Sequence, residues 1–122
     1  MIRSQTPSSP LLVRNDRAPT GSVQSIVDAA LCRLKEECQR VETSGVVDGT
    51  DRAARADRLA ELHTRRARWW RVLWRHEATR RRSVYLDAVA GAEWHEWEQA
   101  AYWRRSASGW NAAAEGSTEA GA

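Results

Sequence analysis

Hydrophobic positions recur at helical spacing through most of the chain. Between residues 23 and 41 the apolar side chains follow intervals of three and four, which places them on a stripe of roughly 140° around one helix. Ser22 is suited to cap the start of this helix, and Gly45 is suited to end it. A short connection follows, so the next helix is expected to run antiparallel to the first. The pattern predicts a helical hairpin.

The second helical pattern begins near residue 51, with Thr50 or Asp51 as its cap, and meets no proline. Its apolar stripe includes Trp69, Trp70 and Trp74. Because the chain contains seven Trp and no Phe, these three indoles are predicted to supply much of the core volume.

Apolar residues resume after residue 84 on a face rotated by roughly 180° from the first stripe. One straight helix cannot bury both stripes against the same neighbour. We therefore expect a break near Thr79–Ser83 or at Gly91, since Gly costs about 1 kcal/mol in a helix relative to Ala. The alternative is one long helix that uses two faces against two partners.

These patterns predict an all-α fold, in which an antiparallel hairpin and a third C-terminal helical segment form a small bundle. All three prolines lie near the N-terminus, and small residues dominate the C-terminus. The predicted organisation is a flexible Ser/Pro arm at 1–20, a helical domain at 21–106 with helices near 22–43, 51–82 and 84–106, and a flexible tail at 107–122.

The net charge of +3 conceals a strong local imbalance. From residue 52 to residue 82 the predicted second helix contains eleven Arg against three acidic residues, whereas the segment after it is acidic. Such an imbalance bears on the choice of partner rather than on the fold.

Four of these arginines, Arg68, Arg71, Arg75 and Arg82, follow spacings of three, four and seven and so form one row about 21 Å long. Arg65 and Arg81 flank this row. Guanidinium groups in such a row are suited to neutralise phosphates, so we expect a non-enzymatic accessory or regulatory protein that binds the backbone of nucleic acid. Two alternatives remain: the row is an ordinary solvated helix face, or the acidic residues Glu93, Glu96 and Glu98 fold back onto it.

The remaining tryptophans indicate a second class of function. Trp94, Trp97, Trp103 and Trp110 exceed what a small core needs, and exposed Trp is enriched where proteins bind one another. The runner-up hypothesis is therefore a structural or assembly protein, of a virion or another multi-protein machine, that contacts a partner or a second copy of itself through these residues. A third hypothesis is a helix lying on an anionic membrane surface, since Arg and Trp alternate through the second helix.

Enzymatic chemistry is not indicated. The three His residues are too scattered for a helical metal motif, and no phosphate-binding loop or zinc-protease motif occurs. We expect no catalytic residues, no metal and no cofactor.

Cys32 and Cys38 lie about 9 Å apart along the predicted helix, too far for an internal disulfide. Two unpaired thiols suit the cytoplasm, and no apolar run is long enough to span a membrane.

Overall fold

The computed structural model describes residues 22–80 and 83–121 as three α-helices joined by short connections. Helix α1 spans Val23–Glu42, α2 spans Gly49–Glu77 and α3 spans Ser83–Gly121. The predicted all-α fold, with a hairpin followed by a third helical segment, is confirmed. The predicted N-terminal arm lies outside the described residues, as do residues 81 and 82.

Side chains cap the first two helices. Ser22 accepts a hydrogen bond from the backbone N–H of Ser25 at 3.0 Å, as predicted. Helix α2 is capped by Asp48 rather than by Thr50 or Asp51, because the extended backbone of Asp48 lets its carboxylate accept from the Asp51 N–H at 2.9 Å. The second helix therefore begins slightly before its predicted start.

The chain breaks at the first of the two predicted positions. Helix α2 ends at Glu77, and a turn at 78–80 precedes α3. Gly91 lies inside α3, where a Cβ atom would meet nothing within 4 Å. Helix α3 continues past its predicted end at residue 106 and reaches Gly121. Alanines and the absence of proline favour this continuation.

Helix α2 is central and packs more extensively against α3 than against α1. Buried alanines are numerous on these two helices, and small side chains let packed helices approach closely. These alanines, each at most 3% exposed, are Ala53, Ala56, Ala60, Ala67, Ala100 and Ala107.

Two apolar clusters attach α1 to the α2–α3 pair. One cluster joins the three helices through Val27, Leu73 and Val89. The other is formed by residues of α1 and α2, namely Cys38, Leu59 and Leu62. The core therefore depends on aliphatic side chains and alanine more than the Trp content suggests.

The three tryptophans predicted for the core differ in their environments. Trp69 and Trp70 are partly buried and pack against the first cluster. Trp74 is 36% exposed, so its predicted place in the core is wrong. The reason is that Trp74 lines an open cavity with Ala90 of α3, and a methyl side chain is too small to cover the indole.

Candidate nucleic-acid interface

Arginines and tryptophans of α2 and α3 line one side of this helix pair. Two hydrogen bonds across the pair establish the shared side: Arg71 donates to Glu93, and Arg104 donates to Thr64 Oγ1 at 2.8 Å. Three- and four-residue spacings place further α2 arginines beside Arg71. We call this surface the Arg–Trp face, and it comprises Arg68, Arg71, Trp74, Arg75, Trp94, Trp97 and Arg104.

An ion pair lies at the middle of the Arg–Trp face. Arg71 Nε donates to Glu93 Oε1 at 3.0 Å, and an Arg71 terminal nitrogen lies 3.0 Å from Glu93 Oε2. The indole N–H of Trp97 donates to Glu93 Oε2 at 2.9 Å. Glu93 is buried, so this two-pronged pair is a stronger contact than an ordinary surface ion pair.

The surroundings of Glu93 favour its charged form. Burial raises the pKa of this carboxyl, but the hydrogen bonds from Arg71 and Trp97, together with the charges of Arg71 and Arg75, outweigh burial and hold the pKa below its ordinary value. The hydrogen bond and the charge of Glu93 raise the pKa of Arg71 in turn. Arg71 therefore already has an anionic partner within the protein.

The predicted arginine row is thus interrupted. Arg71 pairs with Glu93, which agrees with the alternative in which the acidic residues fold back onto the row. A terminal nitrogen of the flanking Arg65 lies 2.9 Å from Glu61 Oε2. Arg68 and Arg75 are exposed, and neither forms an ion pair with another residue in the described ranges. Arg81 and Arg82, also predicted for this site, lie outside the described residues.

Arg104 is a member of the Arg–Trp face that the sequence analysis missed. It extends from α3 and meets Thr64 of α2, close to Arg68. Its spacing could have revealed it, because Arg104 follows Trp97 by seven residues and therefore lies on the same side of α3. What sequence spacing could not give is the pairing of this side of α3 with the arginine side of α2.

Two shallow cavities lie along the Arg–Trp face. The first, of about 420 Å³, is lined by Asp57, Ala60, Glu61, Thr64, Arg65, Arg68 and Arg104. The second, of about 300 Å³, is lined by Arg71, Trp74, Ala90 and Glu93. Ala90 is too small to cover the indole opposite it, which explains the partial exposure of Trp74. Cations and accessible indoles therefore alternate along one side of the molecule.

The four tryptophans predicted to meet a partner occupy three environments. Trp94 is 66% exposed and Trp97 is 36% exposed, and both belong to the Arg–Trp face. Trp110 lies at the far end of the helix pair, where the Arg52 guanidinium sits 5.0 Å from its ring centroid. Trp103 is placed in the interior rather than on the surface, because it packs against the cluster around Leu59 and Leu62.

A second group of charged residues is buried between α2 and α3. Glu96 Oε1 lies 2.6 Å from His63 Nδ1, and Glu96 Oε2 lies 2.9 Å from an Arg66 terminal nitrogen. Arg66 also points a guanidinium nitrogen at the Cys38 sulfur, 3.9 Å away. The cavities of the Arg–Trp face are lined by other residues. This buried network therefore suits a structural role better than contact with a ligand.

The opposite side of α2 forms a groove of about 460 Å³ with α1, and that groove is also rich in arginine. Most of its arginines are paired with carboxylates, however. Glu37 pairs with both Arg40 and Arg58, and Arg58 also pairs with Glu61. Arg33 is the one arginine of this groove without an ion pair in the described part of the chain, whereas on the Arg–Trp face both Arg68 and Arg75 lack one.

No protein-family model, curated protein or solved structure matches this chain. None of the described helices combines the length and the apolarity that crossing a membrane requires. Within the same residues, no group of three or more His, Cys, Asp and Glu side chains could hold a metal ion.

Proposed function

We propose that this protein is a non-enzymatic nucleic-acid-binding accessory or regulatory protein that holds the phosphate backbone on its Arg–Trp face. The observation that carries the proposal is the arrangement of Arg68 and Arg75, which are exposed and have no ion-pair partner among the described residues, with Arg104 of α3 beside Arg68. Neighbouring like charges repel one another unless an anion lies between them.

Phosphate is the anion that suits these side chains best. A guanidinium group can donate two parallel hydrogen bonds to phosphate oxygens, and its charge releases counterions from a nucleic acid. Three contacts of this kind on a duplex give a slope of log K against log salt of about −2.7. Affinity is then expected to fall about 40-fold between about 50 mM and about 200 mM salt.

The test is a salt titration of binding by the double variant R68Q/R75Q, measured by fluorescence anisotropy with labelled nucleic acid. We expect weaker binding and a slope that is shallower by about 1.4 to 1.8. The matched control is R33Q/R52Q, which removes the same charge from exposed arginines outside the face. The control should keep the slope of the unmodified protein.

Two results would contradict the proposal. One is the absence of binding to DNA and RNA at low salt. The other is an equal loss of affinity in R68Q/R75Q and R33Q/R52Q, because net charge rather than the Arg–Trp face would then explain the binding. Circular dichroism of both variants establishes that neither substitution unfolds the helices.

A second candidate is an assembly protein that binds a partner or a second copy of itself. The 66% exposure of Trp94 favours it, since exposed indoles commonly mark protein interfaces. Sedimentation velocity over a range of concentrations should then show self-association that the W94A/W97A variant abolishes. The membrane-surface hypothesis has no such observation in its favour, because Trp69 and Trp70 lie against the core.

A further inference from the structure

Three partly exposed indoles lie among the cations of the Arg–Trp face. Trp94 is 66% exposed, and Trp74 and Trp97 are each 36% exposed. Trp94 and Trp97 are one helical turn apart on α3 and are neighbours on its surface. Trp74, on the α2 side of the same face, lines a cavity with Arg71 and Glu93, and Glu93 accepts the hydrogen bond of the Trp97 indole. The accessible aromatic surface is therefore adjacent to the arginines rather than on another side of the protein.

The structure also restricts how one of these rings can move. The Trp97 indole N–H donates to Glu93, and Arg71 holds the same carboxylate from α2. Fixing the polar edge of the ring in this way orients its exposed part, which is 36% of the residue surface, toward solvent. A ring that is already ordered loses little entropy when a ligand stacks on it.

Indoles and arginines serve different parts of a nucleic acid. Arginines bind phosphates in duplexes and single strands alike, but an aromatic ring can stack only on a base whose flat face is accessible. In a duplex, neighbouring base pairs cover those faces. The pairing of Arg71 with Glu93 also breaks the continuous row of cations that a duplex backbone would contact. The combination favours a single strand.

We propose that the Arg–Trp face binds single-stranded nucleic acid, with bases stacked on Trp94 and Trp97 and phosphates held by Arg68 and Arg104. This inference rests on the proposed function and specifies its ligand. Stacking tolerates any base because every base has a flat aromatic face, so binding is expected to depend little on sequence.

The experiment compares three labelled probes by fluorescence anisotropy: an oligothymidylate of about 12 nucleotides, an oligouridylate of the same length, and a DNA duplex of matching length. The unmodified protein should bind at least one of the single strands more tightly than the duplex. Preference for the thymidylate identifies DNA as the ligand, and preference for the uridylate identifies RNA.

The variant W94A/W97A separates stacking from phosphate binding. Loss of two stacked bases should weaken single-strand binding by about tenfold or more. Duplex binding should change by less than about twofold, since that binding is mostly electrostatic. The matched control is W110A, which removes a 38% exposed indole outside the Arg–Trp face and should leave single-strand binding unchanged. Circular dichroism establishes that the helices persist in both variants.

The possible failures are distinguishable. Equal affinity for duplex and single strand, or single-strand binding that W94A/W97A does not weaken, overturns the single-strand inference. If R68Q/R75Q still weakens binding in that case, the proposed function stands. If no probe binds at low salt, both the inference and the proposed function are wrong.

Discussion

The buried carboxylate of Glu96 gives the sharpest prediction about stability. Its side chain is 4% exposed and meets His63, which is 8% exposed, and Arg66, which is 22% exposed. Glu96→Leu keeps a similar volume but leaves the Arg66 guanidinium without its buried anion. We expect the variant to fold with a much lower free energy of unfolding.

The magnitude follows from the burial of these groups. Removing one partner of a buried ion pair costs about 3–5 kcal/mol, because the other charge is left without compensation. Arg66 retains some contact with water, so the lower end, about 3 kcal/mol, is expected. For a domain of this size each kcal/mol lowers the melting temperature by about 4–8 °C, which gives a decrease of about 12–24 °C.

Urea unfolding, followed by circular dichroism and Trp fluorescence, measures this loss. The matched control is Glu98→Leu, which removes an exposed carboxylate from the same helix and should change stability by less than about 0.5 kcal/mol. The triple variant H63L/R66M/E96L removes every charge of the network and should recover most of the stability. A Glu96→Leu variant within about 0.5 kcal/mol of the unmodified protein would show that the Glu96 ion pair does not stabilise the fold.

Three further predictions follow from single sites. Cys32 is exposed and Cys38 is buried, and burial raises the pKa of the Cys38 thiol. A thiol reagent should therefore modify Cys32 rapidly in the native protein, and it should modify both cysteines in denaturant. Gly91→Ala should raise the free energy of unfolding by about 0.5–1 kcal/mol in a urea titration, because Ala disfavours the helix less than Gly and its Cβ would meet no atom within 4 Å. The pKa of Glu93 lies below its ordinary value of 4.5, so the stability that its charge provides is complete above that value and is lost as the pH falls through the folded-state pKa. Melting temperatures below pH 4.5 should consequently fall less in Glu93→Gln than in the unmodified protein, and parallel decreases would contradict the assigned role of the Arg71 pair.

Much of the fold was predictable because its signals are local. Apolar residues at intervals of three and four defined the helices, and Ser22 occupies the capping position that its side chain suits. The change of apolar face favoured a break over one long helix, and the turn at 78–80 provides it. The cap of α2 was predicted wrongly, since several acidic and hydroxyl residues in one short connection compete for the same backbone amides.

The candidate site was predictable only in part. Spacing along α2 placed Arg68, Arg71 and Arg75 on one side, because helical geometry alone fixes that relation. It could not decide which cations find an anion within the fold. Arg71 meets Glu93, 22 residues later in the chain, whereas Arg68 and Arg75 meet no ion-pair partner among the described residues.

Helical periodicity and composition were enough to specify three helices, a basic second helix and more tryptophan than the core needs. What those residues face depends on how the helices pack. The packing of α3 on α2 leaves Trp74 partly exposed, places Arg104 beside Arg68 and pairs Arg71 with Glu93. Periodicity fixes positions around one helix axis, whereas the side chains at the contact fix how two helices meet.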